Sequence, residues 1–129
     1  MNINPNILIF SVFQKGLPEI VNRMAHDQFL EILEREGFPV LSLSGRYNGV
    51  DELLILIENF DHREIVERLC REFNQESYLE SHNDGTTFLV YPDGRRELIG
   101  KMTHVSETEA KAASSYSYSP LRDQYFVTK

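Results

Sequence analysis

Cysteine is almost absent from this sequence, in which Cys70 stands alone among 129 residues. A single cysteine cannot form an internal disulfide, so the chain does not depend on an oxidising compartment. The N-terminus has no basic segment, and the apolar run Ile7 to Phe13 is too short to cross a bilayer. We therefore expect a soluble protein in the cytoplasm, with no targeting signal and no membrane association.

Basic residues are also scarce, since 13 lysines and arginines face 20 acidic residues and the net charge is −7. Binding of duplex DNA through many phosphates requires a broad basic face, which this balance argues against. A small anionic ligand remains compatible with the sequence, because two or three converging arginines or lysines are enough to hold it.

Recognisable catalytic motifs are missing too. The sequence contains no glycine-rich phosphate loop, no serine elbow and no carboxylate pair in a familiar frame. Its four histidines lie far apart without metal-ligand spacing, and Cys70 falls on the inner stripe of a predicted helix. We predict a binding protein without catalytic residues, metal or cofactor.

What the sequence does contain is an ordinary globular composition, with 41% hydrophobic and 26% charged residues. Helical spacing predicts a long helix from Glu19 to Glu36, closed by Gly37, and a second helix that opens with a capping box at Asp61 to Glu64. Strand-like runs surround them: Ile7 to Phe13, Val40 to Ser44, Leu53 to Ile57, Ser77 to His82, Thr86 to Tyr91 and Glu97 to Met102.

The resulting order predicts an α+β fold with a ferredoxin-like β-α-β-β-α-β core, extended by an antiparallel hairpin. Ser106 to Glu109 predicts a capped short helix, and the aperiodic tail from Ser114 to Pro120 is expected to dock on the domain or on a partner chain. We divide the chain into a core domain, 1–105, and a C-terminal helix and docked tail, 106–129.

The stretch from Gly45 to Glu52 predicts a tight hairpin, because Asn48 and Gly49 tolerate positive φ better than most residues. It concentrates polar groups at one end of the sheet. The hairpin is either a solvated turn or one wall of a ligand site.

Candidate ligand-binding residues combine phosphate-binding cations, ribose-binding amides or carboxylates, and aromatic faces for a base. Each also has a structural interpretation, as a core edge or a solvated turn. The candidates are Asn22, His26, Arg46, Tyr47, Glu52, Gln75, Arg95, Lys101, Tyr116, Tyr118 and Arg122.

Several short motifs carry a resemblance to a known family. They are Gly45-Arg46-Tyr47-Asn48-Gly49 with Glu52, Phe73-Asn74-Gln75-Glu76-Ser77, Tyr91-Pro92-Asp93-Gly94, Ile99-Gly100-Lys101, and Val105-Ser106-Glu107 with a Tyr-Ser tail. Together they resemble the phage Thoeris anti-defence protein 1 family, over nearly the whole chain.

The resemblance implies a sponge that binds a cyclic ADP-ribose-type immune signal in the host bacterial cytoplasm and does not cleave it. It also implies a homodimer or higher homo-oligomer with pockets near the contact, and in some members a separate site for cyclic oligonucleotides. Two alternatives stay open: a small enzyme that degrades a nucleotide signal, with His26 or His82 as base and Glu76 or Glu52 as acid, and a protein-interaction module.

Overall fold

The computed structural model describes residues 7–47, 49–58, 63–82, 84–120 and 123–129. Its three helices are α1 (Glu19–Arg35), α2 (Arg63–Glu72) and α3 (Glu107–Ala112). Its strands are β1 (Ile7–Phe10), β2 (Val40–Tyr47), β3 (Val50–Glu58), β4 (Tyr78–Ser81), β5 (Thr86–Val90), β6 (Arg96–Val105), β7 (Tyr116–Ser119) and β8 (Gln124–Thr128).

Local sequence signals account for most of these boundaries. Helix α1 ends before Gly37, which has a φ of +89° that a side chain would disfavour. Ser106 caps α3 as predicted, because its hydroxyl accepts a hydrogen bond of 3.1 Å from the Glu109 N–H. The predicted capping acceptor of α2, Asp61, lies outside the described residues.

The predicted ferredoxin-like α+β core is wrong, because the described strands form a closed antiparallel barrel in the order β1-β3-β2-β7-β8-β6-β5-β4. Strand β7 pairs with β2 and with β8, and β8 pairs with β6. These two strands join edges that an open sheet would leave unpaired. The tail that we expected to dock on the domain or on a partner chain therefore contributes strands to the barrel wall.

The two faces of the barrel wall have different neighbours. Leu8, Phe10, Ile55 and Ile57 point outward and form a buried cluster with residues of α1 and α2, including Leu33. The neighbouring residues along each strand point to the opposite face, because side chains alternate. The outer face thus holds the main core and the helices, and the inner face is left to line the barrel.

The C-terminal segment lies close against β2. A Cβ added to Gly45 would lie 2.6 Å from the Tyr116 carbonyl oxygen and 2.9 Å from Leu54 Cδ1, so glycine is required there. The division at residue 106 stays a prediction, and strands from both sides of it belong to the same sheet.

Candidate functional site

A cavity of about 980 Å³ is lined by strand residues of the barrel and by the connections at one end of it. Its deeper wall is apolar and comes from the inner face of the strands, with Ile9, Leu54, Leu79 and Leu89 among the lining residues. Its mouth is polar and comes from four connections: residues 13–17, the β2–β3 hairpin, residues 74–77 and residues 113–115. An apolar interior with polar groups at the rim is typical of small-molecule sites.

Two amide side chains fix the first of these connections. Asn22 on α1 accepts a hydrogen bond of 2.8 Å from the Gln14 N–H and donates one of 3.0 Å to the Gln14 carbonyl. Gln75, which precedes β4, donates to the Phe13 carbonyl. Both predicted residues line the cavity, and the contacts they make within the chain position the loop.

The β2–β3 hairpin supplies Arg46 and Tyr47 to the mouth. The Nε of Arg46 donates a hydrogen bond of 2.9 Å to Asp51, and its guanidinium lies 5.5 Å from the centre of the Tyr116 ring. The Tyr47 side chain is 43% exposed, so its ring is available at the rim. Arg46 and Tyr116, distant in sequence, are therefore adjacent on paired strands β2 and β7.

Glu52 lies on the inner face of β3, at the inner edge of the mouth. Burial raises the pKa of its carboxyl to about 7, and a hydrogen bond with the Ser11 hydroxyl lowers it in part. A group with this pKa exists in both protonation states near neutral pH. It can accept a proton from a bound molecule or donate a hydrogen bond to it.

The charges around the cavity are mixed rather than basic. The lining contains Lys15, Arg46 and Lys129 as cations, and Glu19, Asp51, Glu52, Glu76 and Glu109 as acids. Several of these neutralise one another: Arg46 pairs with Asp51, and Lys129 Nζ lies 2.6 Å from Glu109. The described mouth is therefore not a dense basic patch.

The other predicted residues that the structure describes do not line this cavity. His26 is buried between α1 and β2, where its Nε2 lies 2.8 Å from the Ser42 hydroxyl and burial lowers its pKa. Arg95 is exposed and stacks over Tyr91 at 4.2 Å, and Lys101 is exposed on β6. Tyr118 donates a hydrogen bond of 2.8 Å to Asp123 and stacks on Tyr125. Arg122 lies outside the described residues.

Some residues that line the cavity are not among those predicted from the sequence. Ser11 and Lys15 line the mouth, and the apolar lining comes from alternate residues of strands that were recognised only as strands. Ser11 is a polar residue within an apolar run and lies immediately before a loop. Such a residue could have indicated the polar edge of a cavity. The apolar lining had no such signal, because an inward-facing leucine and a core leucine look alike in sequence.

His82, a base in the degrading-enzyme alternative, lies outside the cavity. Its Nε2 is 2.9 Å from Glu80, a fully buried carboxylate that also pairs with Arg63 and Arg96. No group of three or more metal-binding side chains occurs among the described residues. None of the helices in the described ranges has the length and hydrophobicity needed to span a membrane.

A barrel with an apolar interior and a polar, partly preformed mouth is the architecture of a small-molecule-binding protein. The chain belongs to the S-adenosylmethionine lyase family, whose model matches residues 8–129. No curated protein matches the sequence. The family match thus covers all the described strands apart from the first residue of β1.

Proposed function

We propose that this protein binds a cyclic ADP-ribose-type signal in the barrel cavity and keeps it intact, as an anti-defence sponge of a phage in the cytoplasm of its bacterial host. The sequence resembles the phage Thoeris anti-defence proteins, and these fall in the family that the chain matches. The resemblance supplies the ligand class, and the cavity supplies a place for it.

The observation that carries the proposal is the cavity itself. Its volume of about 980 Å³ lies at the upper end of the range of roughly 300–1,000 Å³ for ligand sites. Among the described residues, six of those predicted line it: Asn22, Arg46, Tyr47, Glu52, Gln75 and Tyr116. A site of this size accommodates a ligand with a base, two sugars and a diphosphate.

The polar rim is held in place before any ligand arrives. Asn22 and Gln75 are hydrogen-bonded to the backbone of the loop of residues 13–17. The side chain of Arg46 donates one of its five N–H groups to Asp51. Fixed groups lower the ordering cost of binding. That matters for a sponge, because capture of a signal at submicromolar concentration requires a dissociation constant in the nanomolar range, about −12 kcal/mol.

Calorimetric titration with cyclic ADP-ribose tests the binding step. We propose that Arg46 contacts the ligand diphosphate. We expect saturable binding, and a loss of affinity of about tenfold or more for Arg46→Ala because this charge-assisted contact is removed. Arg35→Ala is the matched control, since Arg35 is an exposed arginine that is also ion-paired, with Glu31 at 2.7 Å. A loss below about threefold, or 0.6 kcal/mol, for Arg46→Ala would contradict the proposed phosphate contact.

A second candidate function is cleavage of S-adenosylmethionine, which the family description names. The observation that favours it is Glu52, a cavity carboxyl whose pKa of about 7 suits general acid–base chemistry. The mixed charge of the mouth also suits a ligand that carries positive charge. Incubation with S-adenosylmethionine separates the candidates, because a lyase yields products over many turnovers and Glu52→Gln abolishes them.

The proposal includes association into a homodimer or larger homo-oligomer. Apolar side chains are exposed beside the mouth, where Val50 is 60% and Leu17 is 43% exposed. Helix α1 also exposes two apolar side chains, Ile20 and Met24, each of which is 64% exposed. A second copy covering these groups would also enclose the ligand. Analytical ultracentrifugation tests this part: a monomer at all concentrations contradicts it, and Ile20→Asp should weaken any assembly.

A further inference from the structure

The loop of residues 13–17 is held from two sides. Asn22 of α1 forms paired hydrogen bonds with the backbone of Gln14, and Gln75 donates to the Phe13 carbonyl from the segment before β4. The Phe13 N–H also donates to the Ser11 hydroxyl at 2.9 Å. A connection at a cavity mouth is usually mobile, but these contacts fix the backbone on which Lys15 sits.

Lys15 differs from the other cations that line the cavity, because it belongs to no ion pair among the described residues. Arg46 is paired with Asp51, and Lys129 is paired with Glu109. Within the described part of the chain Lys15 forms no ion pair, although it lines the cavity. Of the described cations that line the cavity, Lys15 is thus the one outside an ion pair, and a ligand can bind its ammonium group without breaking an existing pair.

We infer that Lys15 binds the anionic diphosphate of the ligand, and that Asn22 and Gln75 are positioning residues that hold the loop so that Lys15 reaches it. This inference rests on the proposed function, since it assumes a diphosphate ligand in the cavity. An ammonium group carries three donors on a flexible stem and suits phosphate oxygens that converge from several directions. Its neighbour Gly16, with a φ of +86°, lets the chain reverse at the loop tip.

The charge of the ligand provides the test. The full chain is titrated with cyclic ADP-ribose, which carries a diphosphate, and with adenosine, which is an uncharged fragment of that ligand. The two affinities are then compared. For Lys15→Met we expect at least about a tenfold loss of affinity for cyclic ADP-ribose, with adenosine unchanged, because methionine keeps the stem and removes the charge. Lys111→Met is the control, since Lys111 lies on α3 and pairs with Glu107 at 2.7 Å.

The salt dependence of binding provides a second measurement. Removal of one phosphate-binding cation should make the affinity for cyclic ADP-ribose less sensitive to salt, because an ion contact is screened. A merely structural effect of the substitution would leave that slope unchanged and would lower the affinity for adenosine as well.

The positioning role predicts coupling between Asn22 and Lys15. Asn22→Ala should weaken cyclic ADP-ribose binding, and Lys15→Met should add little further loss in that background, since a displaced loop no longer presents the ammonium group. Fully additive losses would overturn the positioning role. If Lys15→Met binds cyclic ADP-ribose as tightly as the unchanged protein does, the inference about Lys15 is wrong but the proposed function stands. If the unchanged protein does not bind cyclic ADP-ribose, the proposed function itself is wrong.

Discussion

Replacement of Glu52 by glutamine should stabilise the protein at neutral and alkaline pH. Glutamine has the shape of the protonated carboxyl but cannot ionise. Burial raises the pKa of Glu52 from 4.5 to about 7 in the folded chain, so ionisation of this carboxyl opposes folding. Removing the ionisable group removes that cost.

The magnitude follows from the separation of the two pKa values. Below pH 4.5 the carboxyl is protonated in the folded and the unfolded chain, and the cost is absent. Between pH 4.5 and about 7 the unfolded chain loses the proton while the folded chain keeps it, so stability falls as pH rises. Above pH 7 the cost is complete: the separation between 4.5 and about 7, at roughly 1.4 kcal/mol for each pH unit, gives about 3.5 kcal/mol. Glu52 is only partly buried, so solvent screening reduces this cost to about 2 kcal/mol.

Urea unfolding of both proteins at pH 4, 6 and 8 measures the effect. We expect similar free energies of unfolding at pH 4 and an advantage for Glu52→Gln that grows to about 2 kcal/mol at pH 8. Glu72→Gln, at an exposed glutamate of α2, serves as the control for a general change in charge. Parallel pH profiles for the Glu52 variant and the unchanged protein would refute the assignment of Glu52 as a partly buried cavity carboxyl with a raised pKa in the folded chain.

Two further predictions concern the barrel. Gly45→Ala should lower the free energy of unfolding by about 1 to 3 kcal/mol, because the new Cβ would lie 2.6 Å from the Tyr116 carbonyl oxygen. Urea unfolding measures this change, and an unchanged unfolding midpoint would mean that β2 and β7 do not lie this close together. Replacing both Arg63 and Arg96 by methionine should cost about 3 to 5 kcal/mol at pH 8, because Glu80, fully buried, would lose both guanidinium partners. Thermal unfolding at pH 8 tests the second prediction, and a loss below about 1 kcal/mol would show that Glu80 is not held by these arginines.

Sequence patterns predicted most helices and strands correctly, but they did not predict that the strands close into a barrel. The order of helices and strands up to Val105 agrees with the structure, because amphipathic spacing, Gly37 and the Ser106 cap are local signals. The barrel closes through β7 and β8, which pair with strands far away in sequence. Alternating tyrosine and serine from Tyr116 to Ser119 is a strand pattern, but Ser117 and Ser119 are buried where an apolar residue would have been the expected signal.

The candidate site shows the same division. Arg46, Tyr47 and Glu52 were recognisable from the hairpin motif, and Gln75 from its junction, because polar groups at strand ends concentrate at one edge. His26 had the residue type of a ligand contact but lies in a buried interface with Ser42. Lys15 belongs to no sequence motif that would have indicated a ligand contact. It is a candidate because it lines the cavity and has no ion-pair partner among the described residues, and both properties are visible only in the three-dimensional structure.

Recovery of the bound ligand tests whether the protein sequesters cyclic ADP-ribose or breaks it down. The protein is incubated with excess cyclic ADP-ribose, separated from free ligand, denatured by heat, and the released molecules are identified by mass spectrometry. If the protein is a sponge, we expect intact cyclic ADP-ribose in an amount that does not exceed the number of binding sites. Release of hydrolysed or rearranged products in excess of protein would contradict it, and so would protein that emerges without any ligand.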